Sequence, residues 1–150
     1  MVKFEQNVKI SAPVDTVWEI LKNPNTWPLW FTEIGQITNL TSVQTGGTFQ
    51  YKSGADMAAG SIVHVDEERG VIKVMTQEKG VPATHSFDVD RRGGLFGIGG
   101  SGSQLTYTME YDPPGGMLGD FVASGNPADL LKVKKTLERI KDLAEKQAGS

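Results

Sequence analysis

The chain opens on an alternation. Val2, Phe4, Val8 and Ile10 share one parity and Lys3, Glu5 and Lys9 the other, which predicts a half-buried strand over residues 2–10. The period changes at Ser11-Ala12-Pro13-Val14-Asp15. Ser11 or Ala12 is the expected cap, Pro13 falls in the first turn, where its missing N–H is not needed, and Asp15 faces the positive end of the helix dipole. Val14, Val17, Trp18 and Leu21 then recur at helical spacing and give one apolar face, ending near Asn23-Pro24. In Asn25-Thr26-Trp27-Pro28-Leu29-Trp30-Phe31 the proline limits the backbone to one short helical turn. Its aromatic side chains either plug the end of the core or form one wall of a pocket.

From there strands run in sequence. Strands are predicted over residues 34–43, 48–53, 57–67 and 71–79, with a turn at Glu67-Glu68-Arg69-Gly70. Ala83, His85, Phe87 and Val89 alternate with Thr84, Ser86, Asp88 and Asp90; Leu105, Tyr107, Met109 and Tyr111 alternate with Gln104, Thr106, Thr108 and Glu110. With the first, that makes seven strands, short and bounded by Gly, Asp or Ser, as in an antiparallel meander. The last element is a helix about 20 residues long, with Asn126 as cap and Pro127 in the first position. Leu130, Val133, Leu137, Ile140 and Ala144 form its apolar stripe, and Lys134–Glu138 and Lys141–Glu145 pair charges one turn apart. Residues 116–122 read as an earlier segment of the same helix, broken at Gly125-Asn126-Pro127.

A seven-stranded antiparallel sheet has one face to hide, and the long terminal helix carries the stripe to hide it. The expected architecture is α+β, one domain over residues 1–150, with the sheet curved around the C-terminal helix and two short helices between strands 1 and 2. A curved sheet gripping one helix need not fill completely, and the space left between them is a cavity.

The order of elements resembles the SRPBCC superfamily, the helix-grip fold shared by START lipid-transfer domains, birch-pollen-allergen-like proteins and polyketide cyclase/dehydrase proteins. The stretches that carry the resemblance are Ser11-Ala12-Pro13-Val14-Asp15-Thr16-Val17-Trp18 ahead of Trp27 and Trp30, Gly46-Gly47-Thr48-Phe49, Val63-His64-Val65-Asp66, His85-Ser86-Phe87-Asp88-Val89 and Pro113-Pro114-Gly115-Gly116. The resemblance implies an apolar tunnel between sheet and helix, used for lipids, isoprenoids, polyketides or other aromatic ligands, and no common catalytic signature. The chain departs from the pattern in a long glycine-rich hairpin and in the Gly125-Asn126-Pro127 break, so no ligand size follows.

Composition narrows the reading further. Fifteen Lys and Arg against 18 Asp and Glu leave a net charge of −3, unlike the basic excess of a nucleic-acid binder. The absence of cysteine excludes disulfides, thiolate metal sites and a thiol nucleophile. The first residues show no secretory signal and no apolar run is long enough to span a membrane, so a cytoplasmic location is expected. The segment Gly97-Ile98-Gly99-Gly100-Ser101-Gly102 matches G-x-G-x-x-G, but the residues after it alternate as a strand, and a pyrophosphate site needs a helix there. The glycines read as a hairpin loop over residues 93–102, a candidate gate, with Leu95, Phe96 and Ile98 able to cover a cavity, meet a protein partner or tuck onto the sheet.

The candidate chemistry is sparse. His64 and His85 are the two histidines, too few for a metal site with the usual three ligands, and no cofactor is implied. His85 shares parity with Phe87 and Val89; pointing inward, it is either an acid or base in a pocket or a ring held by a carbonyl or a tyrosine hydroxyl. Tyr51 and Tyr107 bring hydroxyls to the same apolar space and are candidates to bond His85 or orient a ligand. Asp66, Glu67 and Glu68 read as a solvated turn. The candidate lining is Trp27, Trp30, Phe49, Tyr51, His85, Phe87, Tyr107, Met109 and Phe121 around a cavity of roughly 300–1,000 Å³. The expected function is binding or transport of a hydrophobic small molecule. A cyclase/dehydratase-type enzyme using His85, Tyr107 or Tyr51 is the alternative, and a protein-interaction module with a collapsed cavity is a third.

Overall fold

A computed structural model describes residues 2–32, 34–53, 55–78, 81–91, 102–112 and 127–149. The order is β1 (Val2–Ile10), α1 (Val14–Lys22), α2 (Trp27–Trp30), β2 (Ile37–Thr38), β3 (Thr48–Ser53), β4 (Asp56–Asp66), β5 (Val71–Glu78), β6 (Val81–Arg91), β7 (Ser103–Tyr111) and α3 (Pro127–Ala148). The seven strands form one curved antiparallel sheet in the order β1-β7-β6-β5-β4-β3-β2. All neighbours from β2 to β7 are consecutive in sequence, which is the expected meander; β1 closes the far side by pairing with β7 over its whole length, Val2 with Tyr111 through Ile10 with Ser103.

Period two decides which side chains the sheet hides. Phe49 and Tyr51 on β3, Ile62 on β4, Ile72, Val74 and Thr76 on β5, His85, Phe87 and Val89 on β6, and Leu105, Tyr107 and Met109 on β7 are all buried on the inner face. A bulge at Val63 shifts the β4–β5 register between Ile62 and His64, leaving Val63 and His64 exposed. Helix α3 buries Val133, Thr136, Leu137, Ile140 and Ala144 and packs on β1, β7, α1 and α2. Its last turns are tied to the β1–α1 junction, where the Ser11 N–H donates to Glu145 Oε2 at 2.8 Å. The Lys141 ammonium, 2.7 Å from the same carboxyl, and that N–H hold Glu145 below the usual carboxylate range. At the other end the Tyr111 hydroxyl donates to Asp129 Oδ2 at 2.6 Å.

Three details depart from the expectation. The strand predicted over residues 34–43 shrinks to Ile37–Thr38. Ile34 N–H closes a turn on Phe31, Asn39 adopts φ 54°, and Thr41 bonds Thr48, so most of this backbone is spent on turns and isolated bonds. Helix α1 begins one residue later than read, with Pro13 extended at the cap position, its carbonyl accepting from Thr16 and Val17. The turn at residues 67–70 is as expected, with Gly70 at φ 73°, but Glu67 bonds Lys22 at 2.6 Å and Asp66 Oδ1 accepts the Arg69 N–H, so neither is simply solvated. The Asn126 cap, the 116–122 segment and the Gly125-Asn126-Pro127 break involve residues outside those described.

Ile140 is fully buried on α3 while Leu131, on the same helix, is 65% exposed. Ile140→Ala is expected to lower the free energy of unfolding by about 2–5 kcal/mol, and Leu131→Ala by less than about 0.5 kcal/mol. Urea denaturation of both variants checks the assignment of the buried stripe.

Candidate functional site

The inner face of the sheet meets α2 in a continuous aromatic layer. Helix α2 is a single turn, with Pro28 tolerated in its first turn and Phe31 extended at its C-terminal end, and Trp27, Trp30 and Phe31 come to the same side. The Trp27 indole N–H donates to the Leu21 carbonyl at 2.8 Å, and that of Trp30 to Thr26 Oγ1 at 3.0 Å. With their polar atoms satisfied locally, both indoles offer apolar surface to the interior. Phe31 sits at the centre: its ring lies 5.2 Å from Trp30, 5.6 Å from Phe87, 4.9 Å from His85 and 6.5 Å from Tyr107. Phe87 stacks on Tyr107 at 4.3 Å, and Trp27 meets Phe49 edge-on at 5.5 Å.

Inside this layer runs a short polar chain. His85 Nδ1 lies 2.6 Å from the Tyr107 hydroxyl, and Nε2 lies 2.9 Å from Thr76 Oγ1. A neutral imidazole has one donor and one acceptor, so the chain has two proton arrangements. In one, Nδ1–H donates to Tyr107 and the Thr76 hydroxyl donates to Nε2. In the other, Tyr107 donates to Nδ1 and Nε2–H donates to Thr76. Full burial strips water from the ring and pushes its pKa down from 6.5 to about 3, so it is neutral at pH 7. Among the described residues Thr76, His85, Ser103 and Thr136 are buried, as are the hydroxyls of Tyr51 and Tyr107, and no Asp, Glu, Lys or Arg is buried with them.

Of the nine lining candidates, Trp27, Trp30, Phe49, Tyr51, His85, Phe87, Tyr107 and Met109 are all buried in one cluster or beside it, and Phe121 lies outside the described residues. His85 and Tyr107 are brought together; Tyr51 stands on the β3 side, its ring 5.9 Å from Phe49 and its hydroxyl buried. Two participants escape the sequence reading. Thr76 shares the parity of Ile72 and Val74, and that alternation is the signal that finds it. Phe31 belongs to the clustered aromatics, but clustering alone does not reveal its central position. His64 is exposed, and no group of three His, Asp or Glu that could hold a metal occurs among the described residues. Leu95, Phe96, Ile98 and most of the glycine-rich hairpin also lie outside them. Gly102 leads directly into β7, so the G-x-G-x-x-G segment is followed by a strand, not a helix. No described helix is long and apolar enough to cross a membrane.

A separate cleft of about 470 Å³ opens between the start of α1, the β4–β5 turn and the end of β6. Asp15, Glu68, Arg69, Asp90 and Arg91 line it alongside Trp18. Its walls carry acidic and basic side chains, unlike the interior.

The family described as polyketide cyclase / dehydrase and lipid transport matches residues 1–145. Norcoclaurine synthase from Thalictrum flavum, as a point mutant with a transition-state analogue, superposes with a TM-score of 0.67 at 13% identity, over 97% of this chain and 94% of that one. A protein of Thermus thermophilus gives 0.70 at 13% identity, over 97% and 99%. A conserved protein of unknown function from Enterococcus faecalis gives 0.65 at 19% identity, over 99% and 74%. At these identities the likeness concerns the fold alone. No curated protein matches the sequence.

The neutral His85 links stability to pH. The unfolded chain takes up a proton near pH 6.5, whereas the folded ring does so only near 3. The contribution is complete above the higher value and is lost as pH falls towards the lower. Between about pH 6 and 4.5 the unfolding free energy of the wild type is expected to fall by up to about 1.4 kcal/mol per pH unit more steeply than that of His85→Gln. Equal slopes in urea denaturation would contradict a buried neutral ring.

Proposed function

The chain belongs to the polyketide cyclase / dehydrase and lipid transport family of the SRPBCC superfamily, and from that premise we propose that it binds an uncharged, largely apolar ring compound between the curved sheet and α3. The observation that carries this reading is the make-up of the interior. Trp27, Trp30, Phe31, Phe87 and Tyr107 supply ring faces, and the polar groups among them are neutral. A charged ligand would be desolvated there without a counter-ion, which costs several kcal/mol. A neutral ring loses little on leaving water and gains about 25 cal/mol for each Å² of apolar surface buried. The Thr76–His85–Tyr107 chain gives such a ligand a defined place for one hydroxyl or carbonyl.

The same chain supports a second reading, in which His85 and Tyr107 move a proton beside a carbonyl of a polyketide-like substrate. Its weakness is energetic. With a pKa of about 3, His85 stores a proton at pH 7 only at a cost of about 5 kcal/mol. It would serve as a relay between Tyr107 and Thr76 more readily than as a base, and that ranks binding first.

Displacement of the uncharged fluorophore N-phenyl-1-naphthylamine tests the first reading. 2-Naphthol is expected to displace it at pH 7 with at least about tenfold higher affinity than 2-naphthoate, which has a similar shape and a negative charge. Equal affinities, or no displacement by 2-naphthol, would remove the reading. For the second, hydrogen–deuterium exchange at the carbons beside the carbonyl of 2-tetralone is followed by NMR. A catalyst would accelerate it, and Tyr107→Phe and His85→Gln would lower the rate by about 10²–10⁴ with 2-tetralone still bound. Exchange at the buffer rate eliminates the enzyme.

A further inference from the structure

We infer that Gly60 sets the width of the proposed pocket, by giving the Phe49 ring a place to lie down against the sheet. The inference rests on the pocket reading above and adds to it a determinant of ligand size. Phe49 and Gly60 are directly opposed in the β3–β4 pair, and both are buried. The Phe49 ring folds across onto the glycine. A Cβ at residue 60 would overlap ring Cζ and stand only 2.6 Å from Cε2 and 2.9 Å from Cε1. A glycine inside a strand often marks such a close approach.

The ring has neighbours on its other sides. Trp27 meets it edge-on at 5.5 Å, and Tyr51 lies at 5.9 Å. Trp27 is itself held by its bond to the Leu21 carbonyl and by edge contact with Trp30 at 6.4 Å. A side chain at residue 60 would therefore lift the Phe49 ring off the sheet and into the interior. The next residue across the sheet from Gly60 is Thr76, which carries one end of the polar chain through His85 to Tyr107. A raised Phe49 ring would narrow the space in front of that chain. The absent side chain at residue 60 thus favours broad, planar, multi-ring ligands over single rings.

Calorimetric titration of p-cresol, 2-naphthol and 9-phenanthrol, neutral phenols of one, two and three rings, tests this. In Gly60→Ala the affinity for 9-phenanthrol is expected to fall at least about tenfold while that for p-cresol changes less than about threefold. Adding Phe49→Ala to Gly60→Ala removes the displaced ring and is expected to restore 9-phenanthrol binding to within about threefold of wild type. Should Gly60→Ala not fold, as judged by near-ultraviolet circular dichroism, Phe49→Leu carries the test. It clears the same space with the glycine in place and is expected to raise the preference for three rings over one by at least about threefold. An unchanged size profile in Gly60→Ala or, failing that, in Phe49→Leu, with the wild type binding normally, overturns the role of Gly60 alone. A wild type that binds none of the three overturns the pocket and this inference with it.

Discussion

The inner face of the sheet must be kept from water, and rings do most of that covering. Helix α3 packs on β1 and β7 at one side of the sheet. Over β3 and β6 the cover comes instead from α2 and the residue after it, whose Trp27, Trp30 and Phe31 lie against Phe49, His85 and Phe87. Aromatic pairs in edge-on and stacked geometry contribute beyond their buried area, about 0.5–1.5 kcal/mol each. They also fix orientation, because a ring held on several sides has one place to be. The site follows from this constraint: a polar chain can persist in such a layer only if every member is paired and none is charged, and Thr76, His85 and Tyr107 meet that condition together.

How much of this could be read along the chain depends on the range of the interaction. The strands at residues 2–10, 48–53 and 103–111 and the stripe of α3 follow from local periodicity, and they appear where the alternation put them. That His85 shares a face with Phe87 and Val89 came the same way, and the structure turns that face inward. Tyr107 is a candidate partner beside Tyr51, but that Tyr107 rather than Tyr51 meets His85, and that Thr76 meets its other nitrogen, is set by the β6–β7 and β5–β6 registers, because parity names a face without naming a neighbour. The strand expected over residues 34–43 failed for a different reason. Its apolar residues Ile34, Ile37, Leu40 and Val43 recur every three positions rather than every two, Asn39 turns into the left-handed region, and the flanking backbone bonds to β3 only in places. Gly60 was invisible to pattern reading, since a glycine in a strand has no side chain to assign to either face.

Fold and chemistry carry different weights in the functional reading. The family match and the structural neighbours concern a framework that surrounds an interior. What the interior can accept is decided by this chain's own side chains. The described interior holds rings, neutral hydrogen-bonding groups and an imidazole kept from protonation, which is why the proposed ligand is uncharged. The separate cleft beside α1, lined by acidic and basic side chains, has the opposite character.

The most direct test is to locate a bound ring by intermolecular NOEs between 2-naphthol and the isotope-labelled chain. The account predicts NOEs from the naphthol protons to the rings of Phe87, Tyr107 and Trp30. NOEs confined to exposed side chains such as Leu29, Met57 and Leu131 would place the ligand outside and contradict it.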